Sequence, residues 1–166
     1  MRGLGGAFED WGAVYGQVGR GLRVGGSVEV ADCGWIRMEE GWESGCMRRY
    51  NELVKAAAEK AGRPLALDHL DGRYFERAGL NVVKSKTFDV PLGVWAREPQ
   101  RRVAGKMALI VALEGLEATG LRLLVGEMGL GVQEVRELCG GVRREVEGGR
   151  AFVPYSFVVA RKLVMG

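Results

Sequence analysis

Leu22-Arg23-Val24-Gly25-Gly26-Ser27-Val28-Glu29-Val30-Ala31 ends one periodicity and begins another. Before it, Phe8, Trp11, Val14, Tyr15, Val18 and Leu22 recur at helical spacing, with Glu9 and Asp10 in the first turn, where acids suit the helix dipole. Gly25-Gly26 breaks that helix. Ser27 to Ala31 then alternates apolar and polar residues, the pattern of a strand. A helix passing through a glycine turn into a strand is the unit of an α/β fold.

The same reading carries to the C-terminus. Cys33 to Ser44 holds glycines, two tryptophans and three acids, and reads as a loop at the strand's C-terminal end. Met47, Tyr50, Leu53, Val54, Ala57, Ala58 and Ala61 form one apolar stripe of a helix closed by Gly62 and Pro64. A shorter helix is predicted from Leu67 to Ala78, and a strand from Asn81 to Val90, closed by Pro91. Gly93 to Gln100 reads as a loop. Helices follow over Arg101–Thr119 and Leu121–Met128, with a third marked by Val132, Val135, Leu138, Cys139, Val142 and Val146. Phe152 to Ala160 is the last strand. The order α-β-α-α-β-α-α-α-β predicts a layered α/β domain over residues 1–166, with 101–149 as a helical insertion before the last strand.

Composition narrows the function classes. At 166 residues the chain can bury a core, and its 47% hydrophobic and 27% charged content is that of a globular protein. Twenty-seven glycines weaken the elements that contain them, which argues for a marginal monomer that leans on a partner. The net charge of +3 is dispersed among acids, and only Arg97 to Lys106 approaches a basic cluster, so no nucleic-acid partner is expected. Cys33, Cys46, Cys139 and the single His69 lack metal-ligand spacing, so no metal is expected and the cysteines read as free thiols. With no apolar run long enough for a signal peptide or a membrane span, a cytoplasmic chain without a membrane partner is expected.

Several segments, in order, resemble fungal secondary-metabolism class I methyltransferases. Asp10-Trp11, Tyr15 and Leu22–Glu29 resemble that family's "DW…Y…LKPGGWxE" segment. Ala78-Gly79-Leu80-Asn81-Val82 resembles its turn into the sixth strand, and Val90-Pro91-Leu92-Gly93-Val94-Trp95 its "lPiGxW" loop. Tyr155 to Lys162 resembles its final strand. Val24, Ser27 and Ala160 depart from the family's proline, tryptophan and glycine.

The resemblance implies the C-terminal half of a Rossmann-like fold. Strands five, seven and six of the family would form a three-stranded sheet, with strand seven antiparallel between the others. The family's S-adenosylmethionine site belongs to the other half, and Gly3–Gly6 follows no strand, so no cofactor is expected for this chain. Strand five, Ser27–Ala31, would then be a bare edge, open to a homodimer or to a methyltransferase-like partner chain.

The family's substrate pocket draws on the insertion and on the loop after strand five. Trp11, Trp35, Trp42, Trp95, Met107 and Val111 are therefore candidate substrate-binding residues, or simply core. Four residues are candidates for chemistry. His69, flanked by Asp68 and Asp71, titrates near neutrality and could serve as a base, although a surface position beside a helix start suits it better. Glu39 and Glu40 lie in the loop where α/β folds place ligands, or are solvated loop acids. Tyr155 could donate a hydrogen bond to a substrate or pack in the sheet. Two functions follow: a cofactor-independent cyclase or isomerase acting on a polyketide-like small molecule, which the retained insertion favours, or a non-catalytic accessory chain that pairs with another methyltransferase-like protein.

Overall fold

The computed structural model describes residues 1–42 and 44–163; Glu43, one of the three loop acids, lies outside them. The elements run α1 (Trp11–Gly21), β1 (Ser27–Cys33), β2 (Arg37–Met38), α2 (Gly45–Lys60), a 3-10 turn (Leu67–Leu70), α3 (Gly72–Arg77), β3 (Leu80–Leu92), α4 (Pro99–Gly120), a π-helical turn (Leu121–Val125), α5 (Val132–Gly148) and β4 (Ala151–Lys162). Among the described residues no helix is long and apolar enough to cross a membrane.

Three local differences from the sequence reading have physical causes. The predicted Leu67–Ala78 helix is broken at Asp71, whose backbone is extended and whose carboxylate accepts the Arg73 N–H at 2.9 Å to start α3 afresh. The predicted Leu121–Met128 helix is a π-helical turn that follows directly on α4. The loop after β1 contains a short strand, β2, too brief for alternation to reveal.

β4 organises the sheet. It pairs antiparallel with β1 from Ser27↔Arg161 to Cys33↔Tyr155, and with β2 at Arg37↔Phe152 and Met38↔Ala151, while β3 pairs with it as well. The strand order expected from the resemblance is present, with β2 as a fourth strand beside the expected three.

The edge of β1 is not bare. Ala31 donates to the Met1 carbonyl at 2.9 Å and accepts from the Gly3 N–H at 3.0 Å, forming a parallel bridge between Arg2 and Ala31. The N-terminal residues thus satisfy edge groups that the sequence reading left open. Edge-to-edge pairing of two copies at Ala31 requires their displacement.

The described residues divide into two compact units, one comprising residues 1–34, 63–88 and 155–163, the other 35–62 and 89–154. The first unit's core is Trp11, Tyr15, Val30, Phe75, Leu80, Val158 and Ala160. Asp10 caps α1 by accepting the Ala13 N–H at 2.9 Å. Gly19 lets α1 approach α3's exit, since a Cβ there would stand 2.2 Å from the Ala78 carbonyl oxygen.

The second unit packs α2, α4 and α5 around Tyr50, Val54, Leu116, Val135, Cys139 and Val142, all buried. Tyr50 donates its hydroxyl to the Leu116 carbonyl at 2.7 Å. α2 lacks a side-chain cap at Ser44. Glu145 of α5 supplies one instead, accepting the Cys46 and Met47 N–H groups at 2.8 Å each.

Candidate functional site

Continuing β1 two residues beyond Ala31 places Asp32 on the strand and turns it inward. Its side chain lies beneath the loop that Gly3–Gly6 makes along β1. Leu4 donates its N–H to Asp32 Oδ2 at 3.1 Å, and the Cys33 N–H donates to Oδ1 at 2.9 Å. The 3-10 turn brings His69 to the same carboxylate, with Nε2 3.5 Å from Oδ2. Both residues are buried, Asp32 at 3% and His69 at 2% exposure.

At 3.5 Å the contact is an ionic approach longer than a hydrogen bond, and His69 Nε2 has no hydrogen-bond partner. Nδ1 lies 3.2 Å from the Ala66 carbonyl oxygen. Both ring nitrogens therefore face oxygen acceptors. Trp11 stacks on the ring, with centroids 4.0 Å apart and planes inclined by 14°.

Two forces act on the Asp32 carboxyl. Burial pushes its pKa up, but the His69 ring and the N–H groups of Cys33 and Gly5 outweigh burial and hold it below the usual carboxylate range. Tyr15 lies in the same core with its hydroxyl buried and unpartnered. Burial first, then the Asp32 charge and Tyr74, push the Tyr15 phenol well above the ordinary tyrosine range.

Tyr155 is the accessible member of this group. It sits on β4 opposite Cys33 and is half-buried. Partial burial, the Cys33 thiol and the Asp32 carboxylate raise its pKa, while Arg2 acts in the opposite direction. The phenol therefore carries its proton at neutral pH.

The other candidates lie elsewhere. His69 is buried rather than at the surface, because its apolar neighbours in the 3-10 turn and Trp11 enclose it. Its acidic partner is Asp32, 37 residues away in sequence, not the flanking Asp68 or Asp71. Trp11 joins His69 in the first unit, but as core. Glu39 and Glu40 belong to the second unit, where Glu39 pairs with Arg150 at 3.3 Å and Glu40 is exposed.

Trp35, Trp42, Trp95, Met107 and Val111 also belong to the second unit. Trp95 packs edge-on to Phe152 and donates to the Leu92 carbonyl at 3.1 Å. Trp35 is half-buried, whereas Trp42, Met107 and Val111 are exposed. Among the described residues no three His, Cys, Asp or Glu side chains gather as a metal site.

Sequence reasoning missed Asp32. The signal was present in an acid directly after the alternating Ser27–Ala31 run, at the strand end where α/β folds gather functional groups.

No known family profile matches the chain. It is 26% identical over 160 residues to "Methyltransferase pytC" of Aspergillus terreus, a match covering 94% of this chain and 49% of that protein. It is also 26% identical over 153 residues to "Secondary metabolism regulator LAE1" of Cochliobolus heterostrophus, covering 85% of this chain and 48% of the relative. The chain is methyltransferase-like. It spans about half the length of the curated relatives it matches.

Two solved structures are similar to the methyltransferase-like chain at 14% identity. A putative sarcosine dimethylglycine methyltransferase from Galdieria sulphuraria has a TM-score of 0.42, covering 98% of this chain and 51% of its own. Phosphoethanolamine N-methyltransferase 2 from Haemonchus contortus has a TM-score of 0.44, covering 98% and 32%.

A methyl donor does not fit the Gly3–Gly6 loop. Leu4 N–H of the Gly3–Gly6 loop is engaged by Asp32, and Gly6 packs against Leu65, whose Cδ2 a Cβ would meet at 2.6 Å.

Proposed function

We propose that this methyltransferase-like chain acts on a polyketide-like intermediate of fungal secondary metabolism without a methyl donor, in a cyclisation or isomerisation. Tyr155 is the substrate-facing group. The observation that carries this reading is its placement, half-buried on β4 opposite Cys33, the chain neighbour of the buried Asp32.

Cyclisation of a carbonyl-rich chain builds negative charge on a carbonyl oxygen. A preorganised O–H donor stabilises that charge, and a shaped site removes much of the entropy of bringing the chain ends together. Burial, with the Cys33 and Asp32 side chains behind it, keeps the proton on the Tyr155 phenol. The name of one relative, a secondary metabolism regulator, supports the metabolic setting.

The test is turnover of candidate aromatic and polyketide substrates by the whole chain and by Tyr155→Phe. Loss of one such donor costs about 10²–10³-fold in kcat. A Tyr155→Phe protein that is folded and fully active refutes the assignment. So does turnover that requires added S-adenosylmethionine.

A second reading is favoured by the length comparison, since 94% of this chain aligns with only 49% of a relative. In it the chain is an accessory partner of another methyltransferase-like protein that carries the donor site. A stable complex that binds donor, isolated from the two chains together, supports that reading over the first.

A further inference from the structure

We propose that the outward face of α4 is the contact between two copies of this chain, joined antiparallel about a two-fold axis. α4 turns Gly105, Leu116 and Gly120 inward, and all three are buried. On the opposite side Val103, Met107, Ile110 and Val111 recur at intervals of three and four residues, the spacing of one helical stripe. They are 68%, 58%, 48% and 69% exposed. Isolated apolar residues at a surface are ordinary, but a contiguous stripe along about two turns marks a contact surface.

The charges along the stripe identify the occupant. Its N-terminal half is bordered by Arg102 and Lys106, and Glu114 stands at its C-terminal end. No ion pair involves any of these three among the described residues; Glu117, one turn on, is paired with Arg136. A parallel copy would set like charges side by side.

An antiparallel copy with its axis between Met107 and Ile110 sets Met107 of each chain against Ile110 of the other. Lys106 of one is then offset along the helix axis by about 4.5 Å from Glu114 of its partner, a gap that the long lysine side chain spans. The contact is isologous, so the same patch satisfies itself and closes at two copies. This inference rests on α4 alone and is independent of Tyr155.

The test is light scattering of the full chain across a concentration series. The expected mass rises from 18.1 kDa to twice that value. Met107→Glu should abolish the dimer. Because Met107 is exposed, its circular dichroism and melting should match those of the parent monomer.

Lys106→Glu and Glu114→Lys should each weaken dimerisation at low salt, and the double exchange should restore it, which no folding defect would mimic. A monomer at every concentration overturns the proposal. So does a dimer indifferent to Met107→Glu, a double exchange that fails to recover, or a methyltransferase-like chain binding this face in preference to a second copy.

Discussion

Asp32 holds together parts of the first unit that are distant in sequence: the N-terminal loop through Leu4, and the 3-10 turn through His69. Its folded pKa is depressed below the reference value of 3.8, so the stabilisation it provides is complete above that value and is lost as pH falls through the depressed one. Asp32→Asn should therefore lower stability at neutral pH by about 2 kcal/mol, as for other hydrogen bonds to charged groups. It should also flatten the acid side of a urea-denaturation pH series. An unchanged acid limb would show that Asp32 does not anchor the loop.

Two buried tyrosines provide a contrast at the same scale. Tyr15 has an unpartnered hydroxyl, whereas Tyr50 donates to Leu116 at 2.7 Å. Tyr15→Phe should be neutral or stabilising by up to about 1 kcal/mol, and Tyr50→Phe destabilising by about 1 kcal/mol, measured by chemical denaturation.

Among the elements, α2 depends most visibly on a neighbour. Its stripe from Met47 to Ala58 is legible in sequence, and its start is not, because Ser44 makes no side-chain cap and Glu145 acts from 98 or more residues away. Glu145→Ala should cost about 1–2 kcal/mol, the upper range for a lost cap. Hydrogen exchange at Cys46 and Met47 should rise more than at the C-terminal end of α2; uniform protection would refute the capping role.

β1 shows the opposite balance. Its strand character follows from alternation alone, but sequence placed its edge in the open, and the chain's own Met1–Gly3 segment lies on it. Backbone pairing at an edge leaves no trace in side-chain periodicity, so no pattern in residues 1–6 announced it.

At the scale of the whole molecule, the likeness to the Aspergillus terreus methyltransferase extends over 94% of this chain and 49% of that relative. The glycine loop available in these residues is engaged by Asp32 and Leu65, which leaves no cradle for a nucleoside. S-adenosylmethionine should therefore leave the thermal unfolding midpoint of the chain unchanged. A ligand at roughly 100 times its dissociation constant would instead add about 2.7 kcal/mol. A clear upward shift would restore a donor-dependent reading.

Sequence by itself determined the α/β order, the main strands, the stripes of α1, α2 and α5, and the likeness to methyltransferases. Each follows from local periodicity or from ordered short motifs, which the chain carries regardless of how it packs. Tertiary structure decided what those elements hold: His69 buried against Asp32, Tyr155 as the accessible donor beside them, Glu145 capping α2, and an apolar stripe of α4 left facing outward. Those depend on burial and on contacts between residues tens of positions apart, and neither is encoded in the spacing of any one segment. The Leu22–Ala31 turn announced the fold, and only the folded chain set Asp32, the residue after it, against His69.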